Sequence, residues 1–550
     1  MIRSLLLAGA ALAAPMPLLA QTAQFSPQRL STHVRTLGSD AYEGRGVATR
    51  AEKKTVDYLI AQFRAAGLQP GGDIVKGRRG WTQAVPLLKA DFVGTPTAEL
   101  RFASGKIMPL AQVEQISMRA PTDGSKALAI AGAPLLFVGY GVSAPERGWD
   151  DFKGQDVTGK ILVVLINDPD FEGGEGQFGG KAMTYYGRWS YKYEEAARRG
   201  AAGVMVIHET DPASYGWATV KNSNTNTMFD IVRADPRAEH PHLESWIQRD
   251  VAKQIFAAAG LDFEGAKAAA KRKDFQPVDL KATLDAKGAA KTQVITSYNV
   301  AGRLPGKRFP RETLLYTAHW DHLGIGAPDA KGDRIYNGAL DNGTGLAHLI
   351  EQARAFARQP RTDRSVVFLA VTAEEKGLLG SEYYGANPLY PLATTVGVLN
   401  TDSMGVQGPS KDYSISGTAR LDLLDTLIAE GTKQGRSFTP DPKPETGGFY
   451  RSDHFSMAKV GVPAISFKSG LDLVSGGLAK GEAWSKNYTT NMYHQPSDEW
   501  TPQWTFTGIA ADAKLLNAVG RRLANGRDWP NWSQDSEFRA TRDATASARK

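Results

Sequence analysis

Three short apolar runs, each ending in an acid or a histidine, constrain this chain more than any other feature. Leu314 to Ala318 reads as a buried strand that runs into His319 and Asp321. Val366 to Val371 runs into the adjacent acids Glu374 and Glu375, and Val396 to Leu399 runs into Asp402. Acids placed directly after buried strands are costly to desolvate unless they are paired or metal-bound. In an open α/β sheet the carboxyl ends of such strands share one crevice, where ligands bind. Two further segments feed it. The glycine-rich turn Gly338 to Gly345 carries Asp341 and opens a helix through Leu346, Leu349 and Ile350, and N-M-Y-H-Q-P-S-D-E supplies His494 with Asp498 four residues on.

The tally is two histidines and three carboxylates as ligands, plus one spare glutamate. Adjacent acids at the end of a strand point different ways, so one of Glu374 and Glu375 can bind metal while the other moves protons. Nitrogen and oxygen donors in this number suit a pair of zinc ions that share a carboxylate. Two such ions about 3.5 to 4 Å apart clamp the attacking and leaving oxygens of a hydrolysis and bring the pKa of water toward about 7. Any one of these short patterns alone is more often a turn or a charged surface. Their weight lies in six of them occurring together.

The set H-x-D-H, L-D-N-G-T-G, A-E-E-x-G-L-x-G-S, N-x-D, R-S-D-H-F and H-x-x-x-D, in this order over about half the chain, resembles the co-catalytic zinc aminopeptidases of clan MH. That family includes leucine-type aminopeptidases, glutamate carboxypeptidases, glutaminyl cyclases and the non-enzymatic transferrin receptor. The resemblance implies two Zn2+ ions, with His319, Asp341 and Asp402 around one and Asp341, Glu375 and His494 around the other, Asp341 bridging. It further implies Glu374 as general base and acid, Asp321 as the partner that orients His319, and Tyr450 as the group that stabilises the oxyanion, with Phe449 a competing register. Asp453 and His454 are expected behind the ligands, His322 in support of its loop, and His348 in a structural role. A cis peptide bond is expected between Asp341 and Asn342.

The implied fold class is α/β, a mixed sheet flanked by helices (the zinc exopeptidase fold), interrupted by a smaller β/α domain. The first helices are expected in the segment that starts at Ser26, a cap and a short amphipathic helix with a glycine stop, and over Ala51 to Ala66, with Glu43, Gly44 and Arg45 near the metal edge. These belong to a first peptidase part over 25–127. Residues 128–284 change to short apolar strands with glycine turns and resemble a protease-associated domain, with strands near Leu135 to Val142, Lys160 to Ile166 and Gly203 to His208 and a helix over Tyr193 to Arg199. The catalytic part resumes near Thr292 and runs over 292–530, with helices around Leu421 to Gln434 and, as the last, Pro502 to Leu523. The polar tail over 533–550 is expected to be disordered. Within the insert, Tyr185, Tyr186, Trp189, Tyr191 and Tyr193 fit either a substrate wall or a core, and Asn222 to Thr227 reads as a polar loop beside them.

Residues 1–20 carry Arg3, an apolar run and small residues ending at Ala20. They read as a secretory signal peptide cleaved after Ala20, which with the absence of cysteine fits an exported, periplasmic or secreted enzyme. No apolar run is long enough to span a membrane. The net charge of +7 is scattered without basic blocks, so nucleic acid is not an expected partner. The expected partner is a peptide, hydrolysed from its N-terminus. A glutaminyl cyclase-like acyltransferase and a carboxypeptidase for acidic peptides, the latter through Arg451 or Arg188, are the alternatives, and a non-catalytic binding module fits the complete ligand set least. Side-chain preference, oligomeric state and native metal are not encoded in these motifs.

Overall fold

The strand expected over Leu314 to Ala318 extends to Phe309–His319 and is buried from Thr313 onward. Arg364–Val371 and Thr395–Thr401 flank it, both parallel, and Ala464–Ser469 continues the parallel set beyond Thr395–Thr401. Arg364–Val371 and Thr395–Thr401 are buried at every residue. Strands covered on both faces in this way read as continuous apolar runs, which is why they were visible in the sequence. Parallel order also brings their carboxyl ends to one edge. His319 ends the first strand, Glu374 follows the second, and Asp402 follows the third.

The computed structural model describes residues 25–418, 420–534 and 536–549. The signal peptide expected over 1–20 lies outside the described residues. Among them no helix is long and apolar enough to cross a membrane. Pro27–Leu37 begins as its sequence dictates, with the Ser26 hydroxyl accepting from the Arg29 amide and Pro27 in the first turn. Arg50–Ala66 ends at Gly67 in the left-handed conformation. Both helices pack on Gly343–Arg358, the helix that follows Asp341.

An ion pair ties this layer together. Arg29 reaches the buried Glu351 with Nη2 at 2.7 Å and Nε at 3.0 Å, and against the upward push of burial His33 and Arg29 together hold the Glu351 carboxyl down to about 2. A depressed carboxyl stabilises the fold above its unfolded pKa of about 4.3 and loses that contribution as pH falls toward the folded value. Glu351→Gln is expected to lower unfolding free energy at pH 7 by about 1–2 kcal/mol, discounted because Arg29 is about one-third exposed. The deficit relative to wild type should shrink in urea titrations taken from pH 5 down toward pH 2.

The second unit is a parallel sheet of Ala127–Phe137, Ile161–Leu165, Gly203–His208 and Leu243–Gln248, edged by antiparallel Ile116–Met118. It joins the catalytic sheet through two long antiparallel strands, Thr82–Phe102 and Val278–Leu304, which pair from Thr82 with Val300 to Phe102 with Ala282. This ribbon moves the expected boundary. Ala98, Leu100, Phe102, Met108 and Met118 share one apolar core with Leu135, Val163 and Ile247, so the smaller unit recruits residues well before 128. Two other expectations are corrected. Thr507–Asn525 is not the last helix, and the tail is ordered where described. Arg539–Asp543 is helical, Phe538 stacks on Phe449, and buried Arg542 donates to the Thr395 carbonyl, two anchors that the polar composition of the tail conceals.

Candidate metal centre

At the carboxyl edge of the parallel strands, Asp341 stands between the two histidines. Its Oδ1 lies 3.2 Å from His319 Nε2 and its Oδ2 lies 3.4 Å from His494 Nε2. His319 Nε2 is also 3.5 Å from Asp402 Oδ1, and His494 Nε2 is 2.9 Å from Glu375 Oε2. Glu374 Oε2 stands 3.9 Å from His319 Nε2. Donor atoms of His319, Asp341 and Glu375, and again of His319, Glu374 and Asp402, lie within 4.8 Å of one another. Distance alone therefore leaves Glu374 within ligand reach.

Charge separates the two glutamates. Burial raises Glu374 well above the usual carboxyl range, and Asp402, Asp453 and Glu375 push the same way against His319. Glu375 goes well below that range: burial opposes its charge, but His494 and His322 outweigh it. Burial also works against charge on the histidines, yet the facing acids raise His319 well above its ordinary value and His494 to about 10. The two neighbouring carboxyls are thus driven apart, one toward the neutral form and the other toward the charged form.

The donor set fits zinc. Four carboxylates and two imidazoles converge in a buried space, an arrangement of like charges that is costly without a cation. His319 Nε2 is buried facing the carboxylates of Asp341 and Asp402 and makes no aligned hydrogen bond, which suits a metal ligand. Mixed imidazole and carboxylate donors are those zinc takes.

The shell around these residues explains how they are held. Asn342 caps the following helix through the Gly345 amide, accepts also from the Ser403 amide, and donates to the Thr401 carbonyl, which fixes the turn that carries Asp341. The Asp341–Asn342 peptide bond is cis. Gly338 has φ +57°, and a Cβ there would stand 2.3 Å from the Asp341 carbonyl oxygen, so the loop closes only with glycine. Asp498 accepts from the amides of Leu340 and Asp341 at 2.9 and 3.1 Å. Arg45, fully buried, donates to the carbonyls of Trp320, Leu37, Asn337 and Gly338 and so staples the ligand loops from below.

Asp321 differs from its expected part. Its carboxylate accepts from the amides of Glu374 and Glu375, while His319 Nδ1 lies 3.1 Å from the Asp321 carbonyl oxygen and 3.8 Å from its carboxylate. It positions the glutamates directly and His319 mainly through its backbone. His322 Nδ1 lies 2.6 Å from Glu375 Oε1, so it faces a ligand as well as its loop. His348 is buried between Gln352 and Thr401, and Asp453 and His454 are buried outside both donor clusters.

Tyr450 lines the same cleft as Glu374 and His494, but its ring is packed among Tyr185, Phe449 and Phe455 and the charges that act on it most are Glu537, Arg147 and Asp168. The tyrosine that faces Asp341 and Glu375 is Tyr493, which packs on His494 with ring centroids 3.9 Å apart. Its neighbour in sequence, His494, was the available signal. The insert also reaches the centre. Asn222 to Thr227, expected as a loop, instead begins as the end of helix Trp217–Asn224, whose Ser223 Oγ lies 2.8 Å from His494 Nδ1 and whose Asn222 donates to the His494 carbonyl. The aromatic cluster divides: Tyr185 and Trp189 line the cleft beside Glu374 and His494, while Tyr191 and Tyr193 are buried in the insert.

Residues 299–516 match the family described as Peptidase family M28, a span that contains His319, Asp321, Asp341, Glu374, Glu375, Asp402, Tyr450 and His494 and excludes the smaller unit. Leupeptin-inactivating enzyme 1 of Streptomyces exfoliatus is 31% identical over 236 residues, 40% of this chain and 49% of that protein. Aminopeptidase YwaD of Bacillus subtilis (strain 168) is 36% identical over 90 residues, 16% of this chain and 17% of that protein. The chain thus spans about half or less of the length of these relatives. An aminopeptidase from Aneurinibacillus sp. strain AM-1 superposes with a TM-score of 0.54 at 18% identity, covering 92% of this chain and 96% of that one, which establishes a common fold.

Proposed function

We propose that this chain, whose segment 299–516 belongs to Peptidase family M28, is a dizinc aminopeptidase that removes N-terminal residues from peptides. The observation that carries the reading is Asp341 with one carboxylate oxygen toward His319 and the other toward His494. Five donors of this kind exceed what one four-coordinate zinc takes, which favours a two-ion hydrolase over a one-zinc cyclase. In this reading His319, Asp341 and Asp402 hold one ion and Asp341, Glu375 and His494 the other. Bound zinc supplies Lewis-acid polarisation of the scissile carbonyl and acidifies the attacking water.

The chain's own residues do the rest. Glu374 accepts the proton of the attacking water and returns it to the leaving amine, a task suited to a carboxyl that its surroundings push upward. Asp321 aims Glu374 through its amide, and Tyr493 offers a hydroxyl at the edge facing the ligand acids, the place expected for Tyr450. The smaller unit is a protease-associated type of insert that roofs the cleft. Hydrolysis of a leucyl peptide with a free amine, and none of its N-acetylated counterpart, is the expected result. Equal hydrolysis of both would exclude an aminopeptidase.

Ser223 is a positioning residue in this scheme, because its hydroxyl fixes the ring nitrogen of His494 opposite the one facing Asp341. Groups of this kind tune a metal ligand by about 10–100-fold in metal affinity. Ser223→Ala should weaken zinc retention by that factor in competition with a chelating dye, with unchanged circular dichroism, and Ser223→Thr should restore it. Unaltered zinc affinity in Ser223→Ala would remove the residue from the site.

A further inference from the structure

One guanidinium in the cleft has no anion. Arg188 sits just ahead of helix Trp189–Arg198 in the insert and is 8% exposed. Its Nε is buried without a hydrogen-bond partner among the described residues. Among the charged and polar groups that act on it, Arg451 is the strongest, followed by Tyr215, Tyr493 and Tyr185. Arg451 adds a second positive charge. It donates to the Ala213 carbonyl and the Ser214 hydroxyl, lies 5.0 Å from the Tyr215 ring centre, and likewise leaves a buried Nε unpartnered.

Several other charged side chains of this cleft have a polar partner. Arg119 pairs with Glu244 at 2.8 Å, Lys376 donates to Asn226, Glu382 pairs with Arg233, and Glu194 accepts from Tyr185. A buried guanidinium beside a second, half-buried one is unfavourable unless an anion joins them, and a guanidinium presents a planar fork suited to a carboxylate. Both arginines line the same cleft as Glu374, Glu375 and His494. An anion held there is therefore part of whatever occupies the metal centre.

We propose that Arg188, supported by Arg451, binds a carboxylate of the peptide substrate, so that the enzyme prefers short peptides whose second residue carries a free C-terminal or side-chain carboxylate. This rests on the peptidase reading above and adds the substrate class. The amine end lies at the zinc ligands, and the insert supplies the contact that recognises the far end. Arg188 thereby makes the insert part of substrate selection as well as a roof.

Three substrates separate the cases: Leu-Gly, Leu-Gly-amide and Leu-Glu-amide. Wild-type kcat/KM should be higher by about 30-fold or more for a carboxylate-bearing substrate than for Leu-Gly-amide, the scale of one desolvated charge pair. Preference for Leu-Gly identifies the C-terminus as the anion, and preference for Leu-Glu-amide identifies the side chain. In Arg188→Met that ratio should fall to near one, with the loss mainly in KM. Equal rates on all three with wild type, a comparison that needs no variant, would overturn the proposal, as would a ratio that survives the substitution. If none of the three is hydrolysed, the peptidase reading fails separately. Calorimetry of Leu-Gly with wild type and Arg188→Met then decides the anion site: weaker binding in the variant sustains it, and equal or absent binding to both overturns it.

Discussion

Glu374→Gln is expected to retain zinc and to lose about 10²–10⁴-fold in kcat, the range over which a positioned general base contributes. The amide is isosteric and keeps the backbone contact with Asp321, so the loop geometry should persist. What disappears is the group able to take and return a proton. The pairing with Glu375 makes the result informative, because both acids end the same strand and both lie within reach of a histidine nitrogen. Their environments differ in sign: Glu374 faces acids on three sides, and Glu375 faces His494 and His322. Zinc analysis and steady-state kinetics on the same preparation read the two roles separately. A variant that loses zinc together with activity would make Glu374 a ligand.

Asp341→Asn should lose both. The carboxylate offers one oxygen to each side of the centre, and a neutral amide has one acceptor and a nitrogen donor in its place. Zinc affinity is expected to fall by about 100-fold or more, beyond the effect of altering an outer partner. Asp498 and Arg45 hold the loop by its backbone, so the fold should survive the change. Two zinc ions per chain in Asp341→Asn, measured by elemental analysis after gel filtration, would contradict the bridging role.

How much of this was legible follows from what each feature owes to local sequence. The parallel strands were readable because burial on both faces demands continuous apolar runs, and His319, Glu374, Glu375 and Asp402 were readable because each ends or follows such a run. The first helices announced themselves through Ser26, Pro27 and Gly67. Ser223 was not readable, since a polar run carries no periodicity and its contact with His494 joins positions 271 residues apart. The domain boundary was hidden because Thr82–Phe102 and Val278–Leu304 serve both sheets as one ribbon. Tyr450 was drawn toward the oxyanion by its place in a motif, but its ring is claimed by Tyr185, Phe449 and Phe455, and Tyr493 faces the acids instead.

Removal and return of zinc bear on the metal centre itself. The enzyme is dialysed against a strong chelator until elemental analysis shows no zinc, assayed on a leucyl peptide with a free amine, and assayed again after stoichiometric zinc is returned. Turnover should vanish on removal and recover as zinc approaches two equivalents per chain, the number that five ligands sharing Asp341 can hold. Turnover that persists in the verified zinc-free enzyme would contradict the assignment of His319, Asp341, Glu375, Asp402 and His494 to catalysis.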